Sequence, residues 1–139
     1  MKLILRHYAR LKRILTGERI DTPSELILIG YLHPSIKRFC SLKNTKVYIS
    51  HRSLKHIAEK NNDKFIELII RICKNPHEIR QGKYPQRYLL LRRETLSSGR
   101  PCVVSIEINI AMPPVIVTVF LSDEKYLSNF DLLWRTGVS

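Results

Sequence analysis

Residues 63–79, DKFIELIIRICKNPHEI, contain a change from a helical to a strand-like pattern of apolar residues. Five apolar side chains here fall on one helical face: Phe65, Ile66, Ile69, Ile70 and Cys73. Asp63 is a suitable N-cap, and Asn75-Pro76 predicts the end of the helix because the residue before a proline disfavours helical backbone. Beyond Pro76 the period becomes that of strands, so the stretch predicts an α+β fold.

Three segments after Pro76 are predicted to be strands, over residues 88–93, 102–110 and 115–121. The middle segment alternates apolar and polar residues, and the last is rich in β-branched side chains. Ser97-Ser98-Gly99-Arg100 predicts a turn, and Pro113-Pro114 predicts a second break. The three strands are therefore expected to form an antiparallel meander with one face on a core of helices.

The 139 residues suit a single compact unit. Residues 4–15 have helical spacing, whereas the apolar run at 26–31 fits either a short helix or a buried strand. We expect residues 1–46 to form an N-terminal helical extension packed on the core, and residues 47–139 to form the main α+β domain. Its first strand is predicted at Lys46–Ser50.

The charge of the chain is strongly positive, with 24 Lys and Arg against 12 Asp and Glu, a net charge of +12. Such an excess attracts phosphate-bearing partners, and RNA, with tRNA among the candidates, is the polyanion that we expect. An acidic protein partner would account for the same charge.

Other classes of protein are disfavoured by what the sequence lacks. The three cysteines form no CxxC pair, which argues against a disulfide framework and a zinc site. Arg6 interrupts the first apolar run too early for a signal peptide, and no later run suits a bilayer span. We therefore expect a soluble, cytoplasmic protein with no membrane partner.

Cofactor and metal motifs are also missing from the sequence. It has no Gly-rich phosphate loop, no HExxH, no GxSxG and no carboxylate cluster suited to magnesium. We expect no cofactor and no metal, so a nuclease here would use acid–base chemistry on RNA.

The first candidate site lies around His56. Leu54, Ile57 and Ala58 form an inward helical face, which leaves His56 on the side of Arg52 and Lys60: these two are predicted RNA contacts. Neighbouring cations disfavour the protonated imidazole, which suits His56 to accept a proton at neutral pH. His51 lies at the strand-to-helix junction. A surface histidine beside basic residues is, however, usually only solvated.

The second candidate site follows the Ile-rich helix. Arg80, Lys83 and Arg87 could contact phosphate, while Tyr84 and Tyr88 could stack on bases. The basic strand adds the predicted phosphate contacts Arg92 and Arg93. A solvated basic hairpin explains this pattern equally well. Thr118, a polar residue in an apolar strand, is either structural or a phosphate contact.

The order of three motifs resembles a known group of nucleases. His56 on a first helix, then Asn75-Pro76-His77-Glu78-Ile79, then Val117-Thr118-Val119-Phe120 is similar to phage and toxin nucleases of the barnase, EndoU, colicin and RelE superfamily. The resemblance covers residues 47–126. It implies two helices followed by a four-stranded antiparallel sheet and a metal-independent RNase activity.

The resemblance also implies roles for individual residues. His56 would act as base or acid, Arg80 or Lys83 would supply the cation, and Thr118 the late-strand hydroxyl. His51 and Tyr126 are weaker correspondences, and Gly82-Lys83-Tyr84-Pro85 departs from the pattern because a strand is expected there. We therefore expect a toxin-like ribonuclease that cleaves by 2′-hydroxyl attack to a cyclic phosphate. The alternatives are a non-catalytic RNA- or DNA-binding module and a subunit that binds an acidic partner, such as an antitoxin or immunity protein.

Overall fold

The computed structural model describes residues 26–50, 52–55, 63–93, 99–109 and 112–137. The strands of this part are β1 Leu26–Tyr31, β2 Lys46–Ser50, β3 Glu78–Gln81, β4 Arg87–Arg92, β5 Cys102–Asn109, β6 Met112–Leu121 and β7 Leu132–Arg135. The helices are a 3-10 helix Pro34–Arg38, α1 Asp63–Lys74 and α2 Glu124–Leu127, and residues 52–55 are also helical. No helix within the described residues is long and apolar enough to cross a membrane.

The described strands form one seven-stranded mixed sheet in the order β1-β2-β6-β5-β4-β3-β7. β2 and β6 pair in parallel through Tyr48 with Val115 and Ile49 with Ile116. The other neighbouring strands pair antiparallel. β4, β5 and β6 form the predicted meander at the centre of this sheet, with β1 and β7 at its edges.

The main core lies between α1 and one face of the sheet. Ile66, Ile69 and Cys73 are buried there, which confirms these positions of the predicted helical stripe, and Ile72 is buried beside them. The strands contribute alternating side chains to the same core: Ile27, Val47, Ile49, Leu90, Val104, Ile106 and Ile116. Each fully buried aliphatic side chain stabilises the fold by about 1.5–3 kcal/mol before entropic costs, so this face dominates stability.

A smaller apolar cluster lies on the opposite face of the sheet. Leu89, Leu91, Val103 and Leu127 are buried in it, with Phe120 and Phe130 packed against them. Leu127 belongs to α2, which begins after Asp123, where the carboxylate accepts a hydrogen bond of 2.7 Å from the Tyr126 amide. β4 is therefore covered on both faces, as its continuous apolar sequence indicates.

The predicted arrangement of N-terminal helices followed by a four-stranded antiparallel sheet is wrong. β1 and β2 precede α1 in the chain, and both belong to a larger mixed sheet. The apolar run of β1 fits a helix or a strand when considered alone. Its pairing with β2, and the parallel pairing of β2 with β6, select the strand through hydrogen bonds to distant residues.

The strand predictions at β2, β4 and β5 are confirmed, whereas the predicted break at Pro113-Pro114 is wrong. Both prolines lie inside β6. The register between β5 and β6 is irregular between Glu107 and Asn109, where β6 passes from Val115 to Met112. Prolines are tolerated at such an irregularity because their missing N–H groups break no regular ladder.

Candidate nucleic-acid interface

The turn between β3 and β4 is held in place by its own chain. The Gly82 amide donates to the Arg87 carbonyl at 2.8 Å, and the Arg87 amide donates to the Tyr84 carbonyl at 2.9 Å. The side-chain amide nitrogen of Gln81 lies 3.0–3.2 Å from the carbonyl oxygens of Tyr84, Pro85 and Arg87. We call residues 81–87 the basic hairpin. Its backbone conformation is therefore defined before any ligand binds.

Gly82 is required by the close approach of the two strands of the basic hairpin. A Cβ atom at this position would lie 2.7 Å from the Cγ and 2.8 Å from the carbonyl oxygen of Arg87. One of these contacts is with backbone, so the clash cannot be relieved by a side-chain rotation alone.

Gly82→Ala is expected to lower the free energy of unfolding by about 1–3 kcal/mol, the usual cost of inserting a methyl group where no space exists. Urea unfolding monitored by circular dichroism measures the change. Gly30→Ala is the matched control, because its Cβ would lie 3.7 Å from the Ile70 Cγ2, an ordinary contact. Equal costs at the two glycines would contradict the clash at Gly82.

The basic hairpin presents an exposed aromatic ring beside two cations. Tyr84 is 51% exposed. The Lys83 Nζ lies 5.7 Å and the Arg87 Cζ 5.8 Å from the centroid of its ring. Arg87 is also 3.5 Å from Glu107, whereas Lys83 is exposed. A ring that can stack on a base, next to cations that can contact phosphate, is the combination found in single-strand binders.

Tyr88 and Arg92 face the helical side of the sheet. Tyr88 is only 6% exposed, and its hydroxyl donates to the Phe39 carbonyl at 3.3 Å. Burial raises the pKa of Tyr88. Arg92 donates to the Asn75 carbonyl just beyond the end of α1. The Tyr88 ring is thus part of the core and is not presented to a base.

Arg80 and Arg93 belong to a group of charged side chains that we call the arginine–glutamate cluster: Glu78, Arg80, Arg93, Glu124 and Arg135. Arg80 Nε donates to a Glu78 carboxylate oxygen at 2.9 Å, and Arg93 donates to the other oxygen. Arg93 also binds both carboxylate oxygens of Glu124, at 2.6 and 2.9 Å. Arg135 approaches Glu78 to 3.6 Å from β7.

The Glu78 carboxylate is the centre of this cluster. Its side chain is 3% exposed. Burial acts to raise the pKa of Glu78, but hydrogen bonds and charge from Arg93 and Arg80 outweigh it and leave the pKa lowered. Glu78 is therefore ionised at neutral pH, and it is a poor proton acceptor there.

Arg80 also connects the sheet to the segment that follows α2. Its Nη1 donates to the carbonyl oxygens of Leu127 and Phe130, at 3.1 and 2.9 Å. Its Nε and Nη2 bind Glu78 on β3, so Arg80 holds α2 on the sheet. A phosphate would have to compete with a carboxylate and two carbonyls for this guanidinium.

The cluster borders a cavity of about 470 Å³. The sequence alone did not predict that the residues around this cavity come together. The cavity is lined by His77, Glu78, Arg93, Glu124, Arg135 and Thr136. His77 Nδ1 accepts a hydrogen bond of 3.0 Å from the Arg93 amide, so its neutral ring carries the proton on Nε2. The NPHEI motif drew attention to His77 and Glu78, but Glu124 and Arg135 arrive from later elements and left no local signal.

Two of the predicted catalytic residues, Arg80 and Thr118, lie on the same face of the sheet but three strands apart. Arg80 pairs with Leu89, Leu89 with Ser105, and Ser105 with Thr118. Directly paired residues share a face, and three strand spacings amount to about 14–15 Å. Thr118 and Arg80 therefore lie on the same side of the sheet without meeting at one phosphate. Lys83 extends from the basic hairpin.

The remaining predicted contacts lie on other parts of the chain. Arg52 is exposed and Leu54 is buried, as the helical pattern predicted for this segment. Tyr126 is 46% exposed and contacts the rings of Phe120 and Phe130, at centroid distances of 6.1 and 5.2 Å. His51, His56 and Lys60 lie outside the described residues.

All three cysteines of the chain lie among the described residues. Cys40, Cys73 and Cys102 are free thiols, and burial raises the pKa of Cys73 to about 12. In the described ranges, no group of three or more His, Cys, Asp or Glu side chains could hold a metal ion. Comparisons with protein-family models, curated proteins and solved structures found no match to this chain.

Proposed function

We propose that this protein is a metal-independent RNA endonuclease that contacts its substrate through the basic hairpin. The observation that carries the proposal is the exposed Tyr84 ring beside Lys83 and Arg87 on a turn fixed by hydrogen bonds. Stacking on Tyr84 is sequence-tolerant, since every base has an aromatic face. The net charge of +12 concentrates RNA around the protein.

The cleavage step rests on the histidines that the sequence identifies. Exposed Arg52 and buried Leu54 support the helical pattern from which the position of His56 was predicted. In the proposed reaction a base removes the proton from the ribose 2′-hydroxyl, and the oxygen forms a bond to the adjacent phosphorus. The bond from phosphorus to the 5′-oxygen breaks, and an acid protonates that oxygen. The products are a 2′,3′-cyclic phosphate and a 5′-hydroxyl.

Cations are needed to stabilise the phosphoryl charge in this reaction. Lys83 and Arg87 suit this role better than Arg80, because the Arg80 guanidinium is bound to Glu78 and to two carbonyl oxygens. In the proposal, Arg80 does not contact the phosphate, and its role is to hold β3 and α2 in position.

The proposal is tested by incubating the protein with tRNA and total RNA in EDTA and analysing the products on a gel. Discrete fragments that end in cyclic phosphate are expected. A salt-dependent mobility shift without products would instead favour a non-catalytic RNA-binding module. Absence of both would contradict the proposal and favour an acidic protein partner.

Tyr84→Ala is expected to weaken RNA binding by about 1–3 kcal/mol, or roughly 5- to 150-fold, because a stacking platform is lost. Fluorescence anisotropy with a labelled single-stranded RNA at fixed salt concentration measures the change. Tyr84→Phe keeps the ring and is expected to bind like the unmodified protein. Unchanged affinity in Tyr84→Ala would show that RNA binds elsewhere.

A further inference from the structure

A large groove opens at the end of the sheet next to the basic hairpin. Its volume is about 1110 Å³. The 3-10 helix and the loop after it form one side, and the adjoining ends of β5 and β6 form the other. We call it the lysine groove, defined by Lys37, Lys43, Tyr48, Asn109, Met112 and Pro114.

The lysine groove combines an apolar surface with positive charge. Met112 is 54% exposed, and half-buried Tyr48 and exposed Pro113 add further apolar area. Lys37 and Lys43 are both exposed, and no acidic residue is among the described residues that line the groove. A nucleotide complements both features, because it joins an apolar base face to a negatively charged phosphate.

The groove is continuous with the basic hairpin. The amide of Ile108, a groove-lining residue, donates to the carbonyl of Gln86 in the hairpin at 2.8 Å. On β4, the Tyr88 hydroxyl donates to the carbonyl of Phe39, which follows the 3-10 helix. The first bond joins the two surfaces through the backbone, and the second fixes the segment after the 3-10 helix against the buried ring of Tyr88. Glu107, which is partly exposed at this junction, pairs with Arg87 at 3.5 Å, so a chain that leaves Tyr84 enters the groove past a carboxylate whose charge this guanidinium offsets.

We propose that the lysine groove is a second nucleotide subsite and that the ligand is a single-stranded stretch of RNA bound from Tyr84 into this groove. The inference rests on the proposed RNA binding at the hairpin and specifies its substrate class. A duplex keeps its bases stacked and paired, so neither Tyr84 nor Tyr48 could contact a base face. Lys37 and Lys43 bind phosphates of the continuing strand.

The test measures the salt dependence of binding for the double variant Lys37→Ala/Lys43→Ala. The probe is a labelled 2′-O-methyl RNA of about 16 nucleotides, the upper end of site sizes in single-strand binders, which cannot undergo 2′-hydroxyl attack. Removing two phosphate contacts is expected to reduce the slope of log K against log salt by about 1.4, since each contact to single-stranded nucleic acid contributes about 0.7.

Lys74→Ala/Lys125→Ala is the matched control, because both lysines are exposed and neither lines the groove. It removes the same net charge, and its slope is expected to stay near that of the unmodified protein. A matched duplex is expected to bind more weakly than the single strand. Circular dichroism confirms that each variant is folded.

Four results would overturn the inference, and the fourth would overturn the proposed function as well. Equal slope changes in the groove variant and the control would show an effect of net charge alone. Duplex binding as tight as that of the single strand would remove the single-stranded specificity. Binding that depends on Tyr84 but is unaffected in the groove variant would leave the groove to another ligand, such as an acidic protein, while the proposed function stands. Absence of RNA binding in every protein would overturn the proposed function together with this inference.

Discussion

Glu78→Ala is expected to lower the free energy of unfolding by about 3–5 kcal/mol, the cost of removing one partner from a buried ion pair. Arg80, Arg93 and Arg135 all approach this carboxylate, whose side chain is 3% exposed. Without it, three guanidiniums remain close together with no central anion. Urea unfolding at neutral pH measures the loss of stability. We also expect α2 to pack less tightly on the sheet, because Arg80 binds both Glu78 and the end of α2.

Glu124→Ala provides the matched control for this prediction. Glu124 also pairs with Arg93, but its side chain is 64% exposed. An exposed ion pair contributes about 0–1 kcal/mol, so the control should be far less destabilised. Similar losses in the two variants would show that the buried position of Glu78 has no special importance.

The same carboxylate makes stability depend on pH. The pKa of Glu78 is lowered in the folded protein, so the folded state binds its proton less readily than the unfolded chain does. The contribution is therefore present above the unfolded value of about 4.3 and is lost as pH falls through the folded value. Glu78→Gln should be less stable at neutral pH and should lose less stability on acidification. A parallel decline for both proteins below about pH 4 would contradict this linkage.

His56→Ala is expected to reduce the rate of RNA cleavage by about 10²- to 10⁴-fold, the usual contribution of a general acid or base. RNA affinity should be nearly unchanged, since the proposed binding surface is the basic hairpin. Single-turnover assays that follow cyclic phosphate formation measure the rate, and anisotropy measures affinity in the same preparation. His56→Gln provides a second variant of similar polarity if the alanine variant does not fold.

His33→Asn is the control for the loss of an imidazole. His33 accepts a hydrogen bond from the Ser35 amide at the start of the 3-10 helix, and asparagine can also accept there. Its cleavage rate should match that of the unmodified protein. Full activity in His56→Ala would remove this residue from the catalytic assignment. Equal loss of binding and cleavage would place it in substrate binding.

The candidate site could be predicted from the sequence only in part. Lys83, Tyr84 and Arg87 were identified because basic and aromatic residues are interleaved after the Ile-rich helix. The orientation of Tyr88 could not be inferred, since β4 is covered on both faces and its apolar sequence has no solvent-facing alternation. The Arg80 guanidinium is occupied by the carbonyl oxygens of Leu127 and Phe130, which are 47 and 50 residues away along the chain.

The elements with a clear apolar pattern over their whole length follow from the amino-acid sequence alone. α1, β2 and β5 follow from repeating apolar positions, β4 follows from a short continuous apolar run, and the meander follows from short connections between its strands. Long-range pairing is what makes β1 a strand, aligns β2 in parallel with β6, and adds β3 and β7 to the sheet. These features could not be predicted because a short strand makes no backbone hydrogen bonds within itself. Its partners lie far away in sequence, and packing against them outweighs its weak local preference.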